Sequence, residues 1–318
     1  MRNGFDAIEN GSYPEAIKIA RSLIKQRHSS GFEILGLALQ RQGKITHAIG
    51  ALEDGTRKAG GVWILWKLLA DCYSDAKRYS DAENAYQRAN ACSGADRDLI
   101  NLNRGIALRR RGDLRASKDA FRTVAGEKSR LLALTNLIEI AIEERAMDSA
   151  LDFALQLEPS IKNAARFYSG EWLSRILSTC ASGLMHSSVH KTKAKKFAMA
   201  AVDSDPSNSD ALRIIRELEN RPAIHAMGFR FLVEGVWPQT IGRGKIPPGF
   251  FRNCSVVAAN QKTAQRYMTK LFPKPIQSTL RVCETAQYPP TSIDFEGVYA
   301  LSGYSLYPRR RRGRGAAS

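Results

Sequence analysis

The 318-residue chain lacks a long hydrophobic run. Its most apolar segment, GGVWILWKLLA, is interrupted by Lys67, and no run approaches the ~18 residues of a membrane span. The first residues, MRNGFDAIENGSYPEA, contain neither an apolar core nor a cleavage-like site, so they do not predict a secretory signal. We therefore expect no membrane span and a cytoplasmic location.

Cysteine is scarce and scattered. The five cysteines form no C-x-x-C pair, which argues against a disulfide framework and against a structural zinc site. We expect them to be buried free thiols. They are Cys72, Cys92, Cys180, Cys254 and Cys283.

Patterns that carry catalysis or metal binding are also missing. GRGKIPPG contains a Gly-Lys step, but the spacing of a phosphate-binding loop is absent and Ile246 and Pro247 follow the lysine. His186 and His190 are four residues apart, yet no third ligand is near them in sequence. No nucleophile motif is present. We expect no catalytic residues, no metal and no cofactor. An enzyme with a site of scattered residues within 225–308 is kept as an alternative.

The chain does contain a repeat. In WKLLADCYSDAKRYSDAENAYQRA, large residues stand at Trp66, Tyr73 and Tyr86, with small residues at Ala70 and Ala82. The same order of sizes occurs 34 residues earlier, a period typical of a helix-turn-helix repeat. Small residues let the two helices of a unit approach closely, and large ones fill the space between one pair and the next. Such units stack into an α-solenoid. The earlier set is Phe32, Leu35, Gly36, Leu39, Ala48, Leu52 and Gly55.

This pattern resembles the tetratricopeptide repeat family, with departures at Arg104 and Ser117, where leucine and alanine are usual. The resemblance covers about 1–220 as a partial first unit and five full units. The segment NSDALRIIRELEN reads as a capping helix after them, with Ile215 and Leu218 inward and Arg216 in water. The unit that matches the family best reads Trp66, Leu69, Ala70, Tyr73, Ala82, Tyr86 and Ala89.

The last hundred residues differ. GFRFLVEGVWP, GFFRNCSVVAAN, STLRVCETAQY and GVYALSGYSLYP read as strands, and NQKTAQRYMTKLF reads as a helix capped by Asn260. We therefore predict a small α+β domain of order β-β-α-β-β over 225–308. Its loop PQTIGRGKIPPG is expected to be mobile, and 309–318 is expected to be a disordered Arg-rich tail.

The resemblance implies that side chains of the first helices line a concave groove that receives a peptide or helix of a partner protein. By the family's register, Lys67, Asp71, Arg109 and Arg110 lie in that groove. Basic groove residues resemble those with which some family members grip acidic peptides. Chaperone-binding members hold the two carboxylates of a C-terminal tail with lysine and asparagine at set groove positions. That clamp is not reproduced here, because Asp71 and Asp75 occupy neighbouring groove positions. A solvated basic face without a ligand is the alternative.

Positive charge is concentrated at the C-terminal end. The chain has a net charge of +17, and residues 221–318 carry fifteen basic and only four acidic residues. Such an end suits an acidic partner or the phosphates of a nucleic acid. Phe229, Phe231, Phe250 and Phe251 are candidates for base stacking, although alternation along strands also fits a core. The tail arginines are Arg309, Arg310, Arg311, Arg312 and Arg314.

The leading hypothesis is a non-catalytic adaptor, in which the repeat array binds a peptide or helix and the C-terminal domain adds a contact or caps the array. The second is a nucleic-acid-associated protein that uses the basic C-terminal end, and the third is an enzyme. The identity of the partner and the oligomeric state are left open by the sequence.

Overall fold

The computed structural model describes residues 2–239, 246–290 and 293–308. Helices come first and a small antiparallel sheet follows, as the sequence predicts. Two helices accompany the sheet, where the sequence predicts one. The centre of the predicted mobile loop and the whole predicted Arg-rich tail lie outside the described residues. The helices of the first part are α1 (Arg2–Glu9), α2 (Tyr13–Lys25), α3 (Ser30–Arg41), α4 (Ile45–Lys58), α5 (Trp63–Asp75), α6 (Tyr79–Ala91), α7 (Arg97–Arg111), α8 (Leu114–Arg122), α9 (Glu127–Glu143), α10 (Met147–Ala164), α11 (Gly170–Leu184), α12 (Lys191–Ser204) and α13 (Ser209–Glu219).

The chain divides into two compact units, 1–140 and 141–318. The first unit holds α1 to α8 and most of α9, and the second holds the remaining helices and the sheet. The domain boundary predicted near 220 falls inside the second unit, where α13 packs against the sheet, and stays a prediction. In the described residues, no helix is both long and apolar enough to cross a membrane.

The first helices of successive hairpins end in the same way. A left-handed residue follows each of α3, α5 and α7: Gly43, Lys77 and Gly112, with φ of 73°, 60° and 87°. The next backbone N–H then bonds back to a carbonyl of the last helical turn, as Lys44 does to Leu39. This helix-ending geometry satisfies carbonyls that the helix leaves unpaired. The turns between paired helices therefore repeat with the sequence.

One helix continues past a proline. Proline usually ends or kinks a helix, which favours a helix end near Pro159. Instead Pro159 lies inside α10, which continues to Ala164, and α11 begins at Gly170. Proline removes one backbone hydrogen bond from a helix. Here buried Ala164 keeps the end of α10 packed beyond that point.

The C-terminal elements form a sheet of order β3-β1-β2-β4, with β5 also paired to β2. Both β2 and β3 run antiparallel to β1, so they point the same way and α14 connects them across β1. Asn260 caps α14 by accepting a hydrogen bond from the backbone of Thr263, as predicted. The elements are β1 (Met227–Val236), β2 (Gly249–Ala258), α14 (Gln261–Lys270), α15 (Lys274–Gln277), β3 (Arg281–Tyr288), β4 (Gly297–Leu301) and β5 (Ser305–Tyr307).

The last predicted strand is two strands. GVYALSGYSLYP leaves the sheet between β4 and β5, where Arg252 donates hydrogen bonds to the carbonyl of Ser302 and the hydroxyl of Tyr304. The Tyr304 ring packs edge-on against Trp237 and Phe250. Turning this tyrosine into the core interrupts the strand, which sequence alternation alone did not reveal.

Three of the four candidate stacking residues belong to the core. Phe229, Phe231 and Phe250 are at most 2% exposed, whereas Phe251 is 36% exposed and stacks on Tyr307 at 5.0 Å between ring centroids. Alternate residues of a strand face opposite sides of the sheet, which separates Phe250 from Phe251. An aromatic platform built on all four is therefore excluded.

The capping helix α13 is covered on two sides. Its inner residues are Ala211, Leu212, Ile214 and Ile215, so Ile214 takes the place expected for Leu218. Arg216 is half-buried and not fully in water, because it donates a hydrogen bond to the carbonyl of Val298 in β4. Helices α11 and α12 contact the other side. The predicted cap is thus the element that joins the last hairpin to the sheet.

The cysteines follow the expectation in part. Cys72, Cys180 and Cys254 are buried free thiols, but Cys92 is half-buried and Cys283 is exposed on the edge strand β3. The sequence around Cys283 alternates like that of a half-buried strand. In the fold β3 is exposed along most of its length, which exposes the thiol.

Candidate functional site

Close contact between paired helices positions the groove residues. A Cβ atom on Gly36 would lie 2.7 Å from Leu52, and one on Gly105 would lie 2.6 Å from Phe121. The small residues therefore permit helix contact, as predicted. The large residues Leu52 and Phe121 fill the space above the glycine of their own hairpin. This packing sets α3, α5 and α7 side by side in the first unit.

A pocket opens where these three helices meet, and we refer to it as the groove pocket. Its volume is about 220 Å³. Successive first helices supply most of its wall, and the second helix α6 supplies one tyrosine. Its lining residues are Gln40, Asp71, Ser74, Asp75, Tyr86, Asn103, Ile106, Ala107 and Arg110.

Asp71 lies in the wall of this pocket with both oxygens bonded. Lys67 Nζ lies 2.7 Å from Oδ2, and the Tyr86 hydroxyl donates to Oδ1 at 2.7 Å. Burial raises the pKa of the Asp71 carboxyl, against the lowering effect of Lys67 and Tyr86. The pKa of Tyr86 is raised well above 10, by burial first and then by the charge of Asp71. Tyr86 therefore remains a hydrogen-bond donor across the physiological pH range.

Asp75 bridges the helices on either side of α5. Its Oδ2 accepts a hydrogen bond from Gln40 Nε2 at 2.8 Å, and its Oδ1 accepts one from Arg110 Nη1 at 2.8 Å. The Arg110 side chain is 57% exposed and the Asp75 side chain 29% exposed. An ion pair this open to solvent adds little stability, about 0–1 kcal/mol. Its main effect is to hold the rim of the groove pocket in place.

Ser74 is the one pocket residue whose buried hydroxyl is unsatisfied within the described residues. It is 4% exposed, and its Oγ has no hydrogen-bond partner there. Most buried polar groups in folded proteins are hydrogen-bonded, so such a hydroxyl needs an explanation. Ser74 also belongs to the lining of the groove pocket, so its hydroxyl lies close to any group that enters the pocket.

Arg109 lies apart from the other three predicted groove residues. Its Nη1 contacts Glu139 Oε2 at 2.6 Å and Asn136 Oδ1 at 3.1 Å, both on α9. Consecutive helical residues point about 100° apart, so Arg109 and Arg110 face different neighbours. The structure therefore brings together Lys67, Asp71 and Arg110 but not Arg109.

Sequence reasoning missed Gln40, Ser74 and Asn103 as pocket residues. Gln40 and Ser74 occupy the same position in successive 34-residue units, so the repeat register itself would have placed both in the groove. They were missed because they carry no charge, whereas the groove residues predicted from the sequence are all charged. The predicted tail contacts, from Arg309 to Arg314, lie outside the described residues.

Comparisons with known proteins agree with this architecture. Residues 34–96 match the family model described as tetratricopeptide repeat. A comparison with curated proteins gives no match. Among solved structures, PilW, a widely conserved type IV pilus biogenesis factor, is similar over 67% of this chain and 96% of its own, at 9% identity and a TM-score of 0.52. At that identity the likeness establishes the fold alone.

Two other solved structures are similar with lower scores. Pseudomonas aeruginosa pilF is similar over 60% of this chain and 82% of its own, at 14% identity and a TM-score of 0.49. A chain of the APC/C hetero-tetramer Cut9-Hcn1 is similar over 67% of this chain and 41% of its own, at 15% identity and a TM-score of 0.49. This chain therefore spans less than half the length of that last relative.

Repeats of this kind serve in general as protein-interaction scaffolds, and that is the general function the fold supports. The resemblance drawn from Trp66, Ala70, Tyr73 and Tyr86 is confirmed by the match over 34–96. Residues 34–96 carry tetratricopeptide repeats within a longer helical array, and a small antiparallel sheet follows that array.

Proposed function

We propose that the groove pocket binds a side chain of a partner protein, presented on a peptide or helix that lies across α3, α5 and α7. The observation that carries this proposal is Ser74, a residue of the pocket lining whose buried hydroxyl lacks a partner among the described residues. A buried polar group left unpaired costs about 1–3 kcal/mol. A polar group of the partner would recover that free energy on binding.

The charges around the pocket favour a partner side chain that donates hydrogen bonds. The cations Lys67 and Arg110 are already paired, with Asp71 and Asp75. Glu33 adds a third carboxylate near Lys67. Burial raises the pKa of Glu33, and the charge of Lys67 acts against that rise. An acidic peptide would have to displace these internal pairs. An amide, lysine or arginine side chain would add bonds to carboxylate oxygens and to Ser74 Oγ.

In this proposal the chain is a non-catalytic adaptor, and the sheet-containing unit provides a separate surface. The polar residues Asp71, Ser74 and Tyr86 of the groove pocket do not form a catalytic set. Tyr86 donates to Asp71, and no general base is bonded to Ser74. A nucleophilic serine needs a base within hydrogen-bond reach.

The test compares two buried serines. The hydroxyl of Ser74 has no hydrogen-bond partner among the described residues, whereas that of Ser117 has one. Peptides are selected from a displayed random library on the purified full chain, and their affinities are measured by fluorescence anisotropy. Ser74→Ala is expected to weaken the selected peptides about 5–10-fold while leaving the unfolding free energy unchanged or slightly higher, because no internal bond is lost. Ser117→Ala is the control, since the Ser117 hydroxyl donates to the carbonyl of Gly105 at 2.8 Å.

Ser117→Ala should lower the unfolding free energy by about 1 kcal/mol and leave peptide affinity intact. Selected peptides should share a lysine, arginine, asparagine or glutamine at one position. Peptides whose affinity is the same for Ser74→Ala and the parent chain would show that the groove pocket is not their site. A shared acidic residue would overturn the donor chemistry and restore the acidic partner expected from the sequence.

The nucleic-acid alternative depends on charge. Residues 221–318 carry fifteen basic residues, and five of these are the tail arginines outside the described part of the chain. Among the residues proposed for stacking, Phe251 alone is exposed. Nucleic-acid binding by the C-terminal end therefore stays a prediction from the sequence.

A further inference from the structure

A second cavity lies within the unit 141–318, between the last helices and the sheet, and we refer to it as the junction cavity. Helices α12, α13 and α14 and strand β4 line it, and its volume is about 220 Å³. Its walls are mainly apolar. They come from Met199, Leu212, Ile215, Leu271 and Val298.

The charged residues at this cavity are mostly cationic. Lys195, Arg216 and Lys270 line it, and Glu219 is its one acidic lining residue. Lys195 is 43% exposed on its side chain and Lys270 is exposed, so their ammonium groups lie where the cavity opens to solvent. Long basic side chains commonly place an apolar stem along an apolar wall and the charge in water.

The single carboxylate is already neutralised. Lys195 Nζ lies 2.6 Å from Glu219 Oε1, and Arg221 Nη1 lies 2.9 Å from Glu219 Oε2. The guanidinium of Arg216 is held by the carbonyl of Val298 and by the Tyr299 ring, but its positive charge is not paired there. Lys270 has no ion-pair partner among the described residues. The opening therefore carries unbalanced positive charge beside an apolar interior.

We propose that the junction cavity binds a small amphiphilic monocarboxylate, with its apolar body among Met199, Leu212 and Ile215 and its carboxylate at Lys270. Ligand sites are typically concave and apolar, with a few polar groups that fix orientation. A cation would be repelled at the opening. A neutral apolar molecule would leave the cationic rim without a counter-charge.

The size of the cavity limits the apolar body. A volume of about 220 Å³ equals roughly seven water molecules at ~30 Å³ each, below the ~300–1,000 Å³ of drug-sized sites. A short unbranched carboxylate such as hexanoate fits this space. A long-chain fatty acid would have to leave most of its chain in solvent.

The test is calorimetric titration of the full chain with three matched probes. Hexanoate supplies both body and charge, hexan-1-ol supplies the body without charge, and propionate supplies the charge with little body. Hexanoate is expected to bind saturably at one site, at least about 10-fold more tightly than either control probe. Added salt should weaken hexanoate binding and leave hexan-1-ol unaffected.

Two lysine variants on the same helix separate the rim from general surface charge. Lys270→Gln should weaken hexanoate about 5-fold, whereas Lys262→Gln, at the exposed start of α14 and outside the lining, should not change it. Met199→Trp places a larger side chain into the cavity and should abolish binding, with an unchanged circular dichroism spectrum as its folding check.

Three results would overturn the proposal. They are the absence of saturable hexanoate binding at millimolar concentration, equal affinities for hexanoate and hexan-1-ol, and equal effects of Lys270→Gln and Lys262→Gln. The junction cavity and the groove pocket belong to different units, so Ser74→Ala should leave hexanoate affinity unchanged.

Discussion

The guanidinium of Arg216 lies 3.7 Å from the centroid of the Tyr299 ring, which places a cation of α13 directly over an aromatic residue of β4. The same guanidinium donates a 2.7 Å hydrogen bond to the carbonyl of Val298. A Cβ atom on the adjacent Gly297 would lie 2.8 Å from Arg216 Cγ, so the strand approaches the helix closely at this point. One arginine therefore fastens the last helix of the helical part to the sheet.

Replacing that arginine should loosen β4. Arg216→Met keeps an apolar stem but loses a charge-assisted hydrogen bond and a cation–π contact, so the unfolding free energy should fall by about 2–3 kcal/mol. Arg213→Met on the same helix is the control. Its ion pair with Glu217 is an exposed i,i+4 pair, which contributes about 0.3–0.5 kcal/mol. Urea unfolding measures both, and faster hydrogen exchange confined to β4 would locate the effect. Equal losses of unfolding free energy in the two variants would contradict the role of Arg216 in fastening α13 to β4.

Helix contact at Gly105 should tolerate no side chain. Gly105→Ala places a Cβ 2.6 Å from the Phe121 ring, and the overpacking should lower the unfolding free energy by about 1–3 kcal/mol. Gly50→Ala in α4 meets nothing within 4 Å and should raise it by about 0.5–1 kcal/mol, because alanine loses less backbone freedom on folding. Thermal unfolding of the two variants should therefore shift in opposite directions. If both substitutions shifted the unfolding temperature in the same direction, the effect would come from replacing glycine as such and not from the contact with Phe121.

Stability should decrease at alkaline pH. Burial raises the pKa of the Cys72, Cys180 and Cys254 thiols to about 12, and at Cys72 the neighbouring carboxylates add to the effect. Each folded pKa exceeds the ordinary value of 9.0, so the folded chain keeps protons that the unfolded chain releases. The contribution of these thiols to the unfolding free energy is complete below pH ~9 and is lost as the pH rises toward ~12.

Urea unfolding under reducing conditions at pH 8 and pH 10.5 checks this dependence. Cys180→Ala should make the decrease smaller, and Cys283→Ser should leave it unchanged, because Cys283 is exposed. An equal effect of the two substitutions would assign the pH dependence to groups other than the buried thiols.

The nucleic-acid alternative predicts a measurable role for the tail. A chain that ends at Pro308 lacks all five tail arginines. On this alternative, the full chain binds a labelled single-stranded oligonucleotide with an affinity that falls steeply between ~50 and ~200 mM salt, and the shortened chain loses that binding. Fluorescence anisotropy measures both. Binding that survives removal of 309–318, or that is insensitive to salt, would exclude the tail as the contact.

The repeat array was predictable because its signal is carried by side-chain size at a fixed period. Gly36 and Gly105 must be small wherever two helices touch, and such positions recur with the fold. Even the departures from the family pattern have local reasons. Arg104 pairs with Glu83 at 2.6 Å, and Ser117 bonds to the carbonyl of Gly105. Each replaces an apolar contact with a satisfied polar one.

The pocket residues were only partly predictable, because charge is a poor guide to which helix face a residue occupies. Arg109 and Arg110 look alike in sequence, yet one contacts α9 and the other Asp75. Ser74 has no distinguishing feature until its burial and lack of a partner are known. Likewise, the break between β4 and β5 depends on Arg252 and Tyr304, which are far apart in sequence.

The burial of α13 on two sides limits how an array of this kind can change in length. A repeat added after α13 would need the surface that β4 and Arg216 already occupy, so it would have to displace the sheet. Duplication of a 34-residue unit within the array requires no such displacement, since each hairpin presents its neighbours with the same kind of surface. Relatives that differ in the number of repeats should therefore differ upstream of α13 and retain the helix–sheet junction unchanged.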